Sequence, residues 1–259
     1  MVKKEKRKIS KKKIARKGKT KKIYNTRERL STGIKGFDRF IEGGFEKKSV
    51  NLVVGGSGSG KTIFAVQFLM AGLEAGENVI YITFEEKKEE FYSNMQRFGW
   101  NLEEYEKKGK FFFLEYSPEK VQTMLEEGGG AIESIVLKYN ISRIVIDSVT
   151  SFALLFEQEL KRREAALNLF NIIRNWKCTS LLTLEDEQPG TSDAVSSSIE
   201  FEADSIIILY FLRRKLRRER FIEVLKMRGT HHSTEIHTFD IKDKGIVVGS
   251  GHLSDGIHY

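Results

Sequence analysis

The stretch Gly55-Gly56-Ser57-Gly58-Ser59-Gly60-Lys61-Thr62 follows directly on Val50-Asn51-Leu52-Val53-Val54 and runs into Ile63-Phe64-Ala65-Val66-Gln67-Phe68-Leu69-Met70-Ala71. It has the spacing G-x-x-x-x-G-K-[ST]. In that pattern the glycines let successive backbone N–H groups curl around a polyphosphate, the Lys reaches the terminal phosphates, and the Thr hydroxyl ligates Mg2+. The segment after it is apolar on most sides, which predicts a buried helix starting near Lys61 whose positive N-terminal dipole adds to the anion site. A flexible Gly/Ser linker would not have core on both flanks. The reading is therefore strand, phosphate loop and helix, with nucleotide contacts from Gly55, Gly56, Ser57, Gly58, Ser59, Gly60, Lys61, Thr62 and the next helical residue, Ile63.

A chain of 259 residues suits one globular domain with a modest appendage. It has no apolar run of 18 residues and no signal-peptide core, so neither a membrane span nor a secretory route is expected. The single Cys178 excludes an internal disulfide or a thiolate cluster and points to the cytoplasm. Charge is unevenly placed. Of the 44 Lys and Arg and 36 Asp and Glu, 15 and 2 fall in residues 1–29, which leaves 29 and 34 for the remainder. The chain reads as a slightly acidic globule carrying a basic arm over 1–29, disordered when free. The arm is either a solvated tail or an attachment to nucleic acid or another anionic surface.

Beyond the arm, Ser31-Thr32-Gly33 opens a short segment over 34–41 that Gly43-Gly44 ends. Strands are predicted at 79–84, 110–116, 144–146 and 179–184, and helices at 87–98, 119–127, 131–139 and 160–176. From Ser205 the pattern is strand only, at 206–212, 221–228, 235–241 and 245–248. The fold class is α/β, with a largely parallel sheet extended by antiparallel strands at its C-terminal end. The body spans 30–250, and 251–259 form a tail.

Asp147 closes the apolar run Ile144-Val145-Ile146 and has the form of a carboxylate delivered beside Mg2+ by a buried strand. Glu85 and Glu86 close the strand at 79–84, the end of α/β strands at which ligands bind. They are candidates to polarise an attacking water or, alternatively, the start of a solvated charge run. Lys226 and Arg228 lie two apart on a predicted strand, so alternation places them on one face, with Phe221, Leu225 and Met227 on the other. Thr230 and His232 extend the cationic face if the backbone stays extended. Such a face suits phosphate contact or, more blandly, a solvated edge. His231, His232 and His237 lack metal-ligand spacing.

These pieces, in this order, resemble the KaiC-like group of RecA-type ATPases, in particular single-domain archaeal members. The resemblance covers about residues 31 to 248. It rests on Ser31-Thr32-Gly33-Ile34-x-Gly36-Phe37-Asp38 with Gly43-Gly44, the loop from Gly55 to Thr62, Ile82-Thr83-Phe84-Glu85-Glu86, Val145-Ile146-Asp147-Ser148, Lys226-Met227-Arg228-Gly229-x-x-His232 and Asp243-Lys244-Gly245. It implies a RecA-type fold and a homo-oligomer, typically a hexameric ring, with ATP held between subunits. Glu85 and Glu86 match the family's catalytic glutamates, Thr62 and Asp147 its Mg2+ ligands, and Lys226, Arg228 and His232 the residues reaching the neighbour's nucleotide.

Two departures qualify that carry-over. Clock proteins of the group are autophosphorylated at a Ser-Thr pair, where Ile199-Glu200-Phe201-Glu202-Ala203-Asp204 stands here; Ser196 to Ser198 lie nearby. The region from Cys178 to Leu212, which in related recombinases supplies DNA-binding loops, holds no Lys or Arg. The leading expectation is a slow, ring-forming ATPase acting as a nucleotide-dependent switch or scaffold. The alternatives are a DNA- or RNA-binding accessory to recombination, using the arm and the basic hairpin Arg213-Arg214-Lys215-Leu216-Arg217-Arg218, and, third, an autokinase.

Overall fold

Strand β3 (Val50–Gly55) is buried along its whole length and sits near the middle of a nine-stranded sheet. The computed structural model describes residues 28–117, 120, 123, 127–150, 156, 158–186, 199–200, 202–214 and 216–252. Ahead of β3, β1 (Arg29–Leu30) and β2 (Phe45–Glu46) pair antiparallel, with a 3-10 turn at Asp38–Ile41 between them. The elements that follow are α1 (Lys61–Glu74), β4 (Asn78–Thr83), α2 (Lys88–Gln96), α3 (Leu102–Lys107), β5 (Phe111–Glu115), α4 (Gly130–Tyr139), β6 (Ile141–Asp147), α5 (Glu159–Asn175) and β7 (Thr179–Glu185). The chain then forms β8 (Ser205–Arg214), β9 (Arg217–Met227), β10 (His237–Lys242) and β11 (Gly245–His252).

The sheet order is β11-β10-β9-β8-β3-β7-β6-β4-β5. From β8 to β5 all neighbours are parallel, whereas β8-β9, β9-β10 and β10-β11 are antiparallel. Strands covered on both faces read as continuous Val/Ile/Leu runs, as β3, β6 and β8 do. Alternate residues feed two cores. Leu52, Val54, Ile144, Ile146 and Ile208 pack with α4 and α5, while Val53, Val145, Leu181 and Ile207 pack with α1, α2 and the 3-10 turn. Helix α1 is apolar all round because it lies between the sheet and the N-terminal turn.

Arg143, on β6, is 2% exposed and fastens several elements at once. Its Nε and Nη2 donate to the Glu77 carboxylate at 2.7 and 3.0 Å, and its Nη1 donates to the carbonyls of Ser31 and Phe68 at 2.8 and 2.9 Å. Gly72 gives it room: a Cβ there would lie 2.6 Å from Arg143 Nε. A mid-helix glycine costs about 1 kcal/mol against alanine, and here it admits a fully bonded guanidinium. Gln67 acts similarly, donating to the Gly33 and Ile246 carbonyls and accepting from Ile246 N–H. Gly33, at φ 74°, packs so closely on α1 that a Cβ would meet Ala71 Cβ at 2.7 Å.

The predicted face of β9 requires correction. Ile206 pairs with Lys226 but Ile207 with Val224, so Leu225 is an extra residue, a bulge, and is 44% exposed. The bulge reverses the alternation, so Phe221 joins the α4/α5 core and Met227 the α1 core instead of sharing one face. The strand also stops at Met227. Gly229 turns the chain at φ 66°, so Thr230 and His232 do not continue the face of Lys226. The strand predicted over 235–241 begins two residues later, and helix α3 and the β1-β2 pair were not predicted. The basic arm up to residue 27, most of the helix predicted at 119–127, Ser196 to Ser198, Phe201, Lys215 and residues 253–259 lie outside the described residues.

Replacing Arg143 with Ala strands the Glu77 carboxylate and two buried carbonyls. Breaking such a pair from one side costs about 3–5 kcal/mol, so urea unfolding of Arg143→Ala should show an unchanged slope and a midpoint lowered by that free energy divided by the slope.

Candidate functional site

The loop between β3 and α1 folds as its composition demands. Gly58 and Gly60 adopt φ 73° and 107°, conformations that point consecutive N–H groups inward. Gly55 is required for a different reason: a Cβ there would lie 2.3 Å from the Leu209 carbonyl of β8. Lys61 Nζ donates to the loop carbonyls of Gly55 and Gly56 at 2.9 and 3.0 Å, which holds the ammonium inside the loop. Ser59 Oγ is fully buried without a hydrogen-bond partner, an orphan polar atom in the loop wall. A glycine-built cradle, a captive ammonium and an orphan hydroxyl fit a bound polyphosphate.

Asp147, at the end of β6, accepts from Thr62 Oγ1 at 2.7 Å and Tyr81 OH at 2.8 Å on Oδ2, and from Thr183 Oγ1 on Oδ1. These donors arrive from α1, β4 and β7, so the sheet order itself assembles the group. The Thr62 hydroxyl against a strand-end carboxylate is a donor set of the hard oxygen type that Mg2+ takes. Beyond it opens a cleft of about 320 Å³ lined by Thr62, Thr83, Glu85, Glu86, Glu90, Asp147 and Ser148. The backbone N–H groups of Glu85 and Glu86 both donate to Thr83 Oγ1, which fixes the turn presenting them. Both carboxyls are held above the ordinary range. Burial is the main cause for each; the Asp147 charge adds to both, and Asn94 partly offsets the rise at Glu86.

On the other side of the loop, a second cleft of about 270 Å³ is lined by Gly58, Gly60, Lys61, Thr62, Ile63, Arg220 and Ile241. Arg220 lies over the Phe211 ring at 4.1 Å and donates to the Gly58 carbonyl at 3.2 Å. Lys226 and Arg228 are elsewhere. Lys226 pairs with Ile206, itself beside Leu52, three residues before Gly55 and midway along β3, while Arg228 N–H bonds the Asp204 carbonyl at the Val50 end. Lys226 Nζ donates to the Glu200 carbonyl at 3.1 Å, and burial followed by the Arg228 charge lowers its proton affinity. Asp204 clamps this end: it accepts from Val50 N–H at 2.9 Å and Arg228 Nη1 at 3.3 Å, and its carbonyl accepts Arg228 N–H. His232 Nδ1 lies 2.9 Å from the Ser233 carbonyl, in the segment after β9.

A family profile described as "ATPase: KaiC" matches residues 30–252. The chain belongs to the KaiC family of P-loop ATPases. A UPF0273 protein of Pyrococcus horikoshii is 35% identical over 233 residues, covering 85% of this chain and 93% of that one. The circadian clock protein KaiC3 of Synechocystis is 35% identical over 229 residues, of which this chain spans only 45%. Among solved structures, the KaiC-like protein PH0186 of Pyrococcus horikoshii superposes with a TM-score of 0.77 at 37% identity, covering 86% of this chain and 99% of that one. The fold is thus the α/β, mainly parallel arrangement of this KaiC-like neighbour, with antiparallel strands at the C-terminal end.

For this KaiC-family chain, sequence reasoning missed Tyr81, Thr183 and Arg220. Tyr81 reads as an ordinary aromatic strand residue, stacked on Phe91 at 4.3 Å, and only the register of β4 beside β6 shows its hydroxyl reaching Asp147. Its proton is held far above the usual phenol range by burial and by Asp147. Cys178, a candidate for no role, has its thiol pushed up to about 12 by burial.

Tyr81→Phe removes one hydrogen bond to a carboxylate, which costs about 2 kcal/mol. Thermal melting should report that loss as a lowered transition temperature. Glu86→Gln acts in the opposite direction. Because folding raises the proton affinity of Glu86, its charged form opposes folding at neutral pH, and the penalty disappears once both states are protonated, below about 4.3. Melting curves across pH should therefore show the Gln variant more stable than wild type at pH 7 and the two converging in acid.

Proposed function

We propose that this chain is a slow, Mg2+-dependent ATP hydrolase that works as an assembly of copies, a ring whose nucleotide sites lie between neighbours, and serves as a nucleotide-dependent switch or scaffold. The observation that carries this reading is the separation of charges along β3. The cleft beside Asp147 presents Glu85, Glu86, Glu90 and Asp147 and no cation among its described lining, while Lys226 lies level with Leu52 in mid-strand and Arg228 sits at the opposite, Val50 end. Among the described residues, Lys61 is the cation a triphosphate there meets on that side, and a second copy is the natural source of further cations.

In this reading the loop amides and Lys61 hold the triphosphate, and Ile63, Arg220 and Ile241 bound the nucleoside side. Thr62 and Asp147 would hold Mg2+, which supplies charge neutralisation at the phosphates. Glu85 or Glu86, whose proton affinity burial raises, accepts a proton from the attacking water as its oxygen bonds to the γ-phosphorus and ADP leaves. Lys226 and Arg228, with His232, act on the neighbour's nucleotide. The family assignment supports the nucleotide and the reaction class; the charge separation supports the shared site.

Lys61→Ala should abolish nucleotide binding. Arg228→Ala should leave binding intact and lower kcat by about 10³-fold or more, the usual worth of a trans arginine. Mixing the two inactive variants should restore part of the activity, because some interfaces then combine an intact loop with an intact Arg228. Equal loss of binding in both variants, or no complementation, argues against a shared site.

A further inference from the structure

The hairpin joining β8 and β9 carries a charge arrangement that the nucleotide site does not use. Strand β8 runs parallel to β3 with Leu209 beside Gly55 and continues to Arg214. At about 3.3 Å per residue the hairpin overhangs the phosphate-loop edge of the sheet by about 16 Å. Its register sets Arg213 directly across from Arg218, and Arg214 across from Arg217. Like charges in directly opposed positions are destabilising, and these pairs stand next to each other at an exposed tip where Leu216 is 98% exposed.

The two faces of the hairpin differ. On one, Glu219 bonds Arg217 at 2.7 Å and lies 3.9 Å from Arg214. On the other, Arg218 and Arg220 lie 5.2 and 4.1 Å from the Phe211 centroid, and Arg213, two residues after Phe211, shares that face. Among the described residues no carboxylate forms an ion pair with any of those three; Asp240 attracts Arg220 only from a distance. Arg220 turns inward to the phosphate loop through Gly58, whereas Arg213 and Arg218 are exposed.

We propose that the Arg213/Arg218 face of this hairpin binds the phosphodiester backbone of a nucleic acid. An unneutralised cross-strand pair of guanidiniums is relieved by an anion lying between them, and the planar fork of Arg matches two phosphate oxygens at once. Position supplies the remaining argument. The surface rises from the strand ends that hold the phosphate loop, and Arg213 stands four residues, about 13 Å, beyond the level at which Glu185 and Leu209 flank Gly55. The inference stands independently of ATP hydrolysis, since it concerns binding measured without nucleotide.

The test is fluorescence anisotropy of the full chain with labelled oligothymidylate, oligouridylate and a DNA duplex, titrated between about 50 and 200 mM salt. The Arg213→Ala/Arg218→Ala double variant should bind at least one of these probes tenfold or more weakly than wild type. Two lost phosphate contacts should also flatten its slope of log affinity against log salt by about 1.4 for a single strand. The Arg213→Lys/Arg218→Lys pair should keep the slope. Because residues 1–27 are present in every variant, only the difference between variants counts. An unchanged affinity and slope in the Ala pair overturns the proposal. So does polyglutamate that competes as well as the oligonucleotide at equal charge, which would make the partner an acidic protein surface. Unchanged ATP binding and melting temperature show that the variants fold; if the Ala pair melts early, Arg213→Gln/Arg218→Gln replaces it with the same expectations.

Discussion

A single buried guanidinium sets the distance between the helix that begins at Lys61 and the strand that ends at Asp147. Arg143 bonds the Phe68 carbonyl of α1, the Ser31 carbonyl of the N-terminal turn and both oxygens of Glu77. A buried charge of this kind tolerates little displacement, because each lost partner leaves a polar group without water. The hydrogen bond from Thr62 to Asp147 lies six helix residues from Phe68 and four strand residues from Arg143, within the same frame. Gly72 is the corresponding concession, a helix residue without a side chain where the guanidinium passes.

The site is then completed by strand order. Placing β7 between β3 and β6 puts Thr183 beside Asp147, and placing β4 on the other side brings Tyr81 to the same carboxylate. Asp147 is thereby oriented by three hydroxyls. Glu85 and Glu86 remain unneutralised, and burial raises their proton affinity.

Most of the fold was legible in the sequence, because its signals were local. The phosphate loop, the buried run of α1 and the carboxylate ends of β4 and β6 each follow from composition and period within a few residues. The unread parts depend on neighbours that sequence does not list. Tyr81 looks like core packing until β4 and β6 are in register. Arg143 looks like a polar residue entering a strand until Gly72 shows where its head goes. The reading of β9 failed at one position: a period-two argument assumes every residue counts once, and the bulge at Leu225 breaks that assumption and sends Phe221 and Met227 to opposite cores.

The Asp204 clamp has a mechanical meaning. Its side chain holds Val50 at one end of β3, and its side chain and carbonyl hold Arg228, while the other end of β3 is the phosphate loop. Six residues of fully buried, hydrogen-bonded strand do not stretch. A pull on Arg228 is therefore transmitted as rigid displacement to Gly55, so the Asp204 end of the strand and the posture of the loop move together.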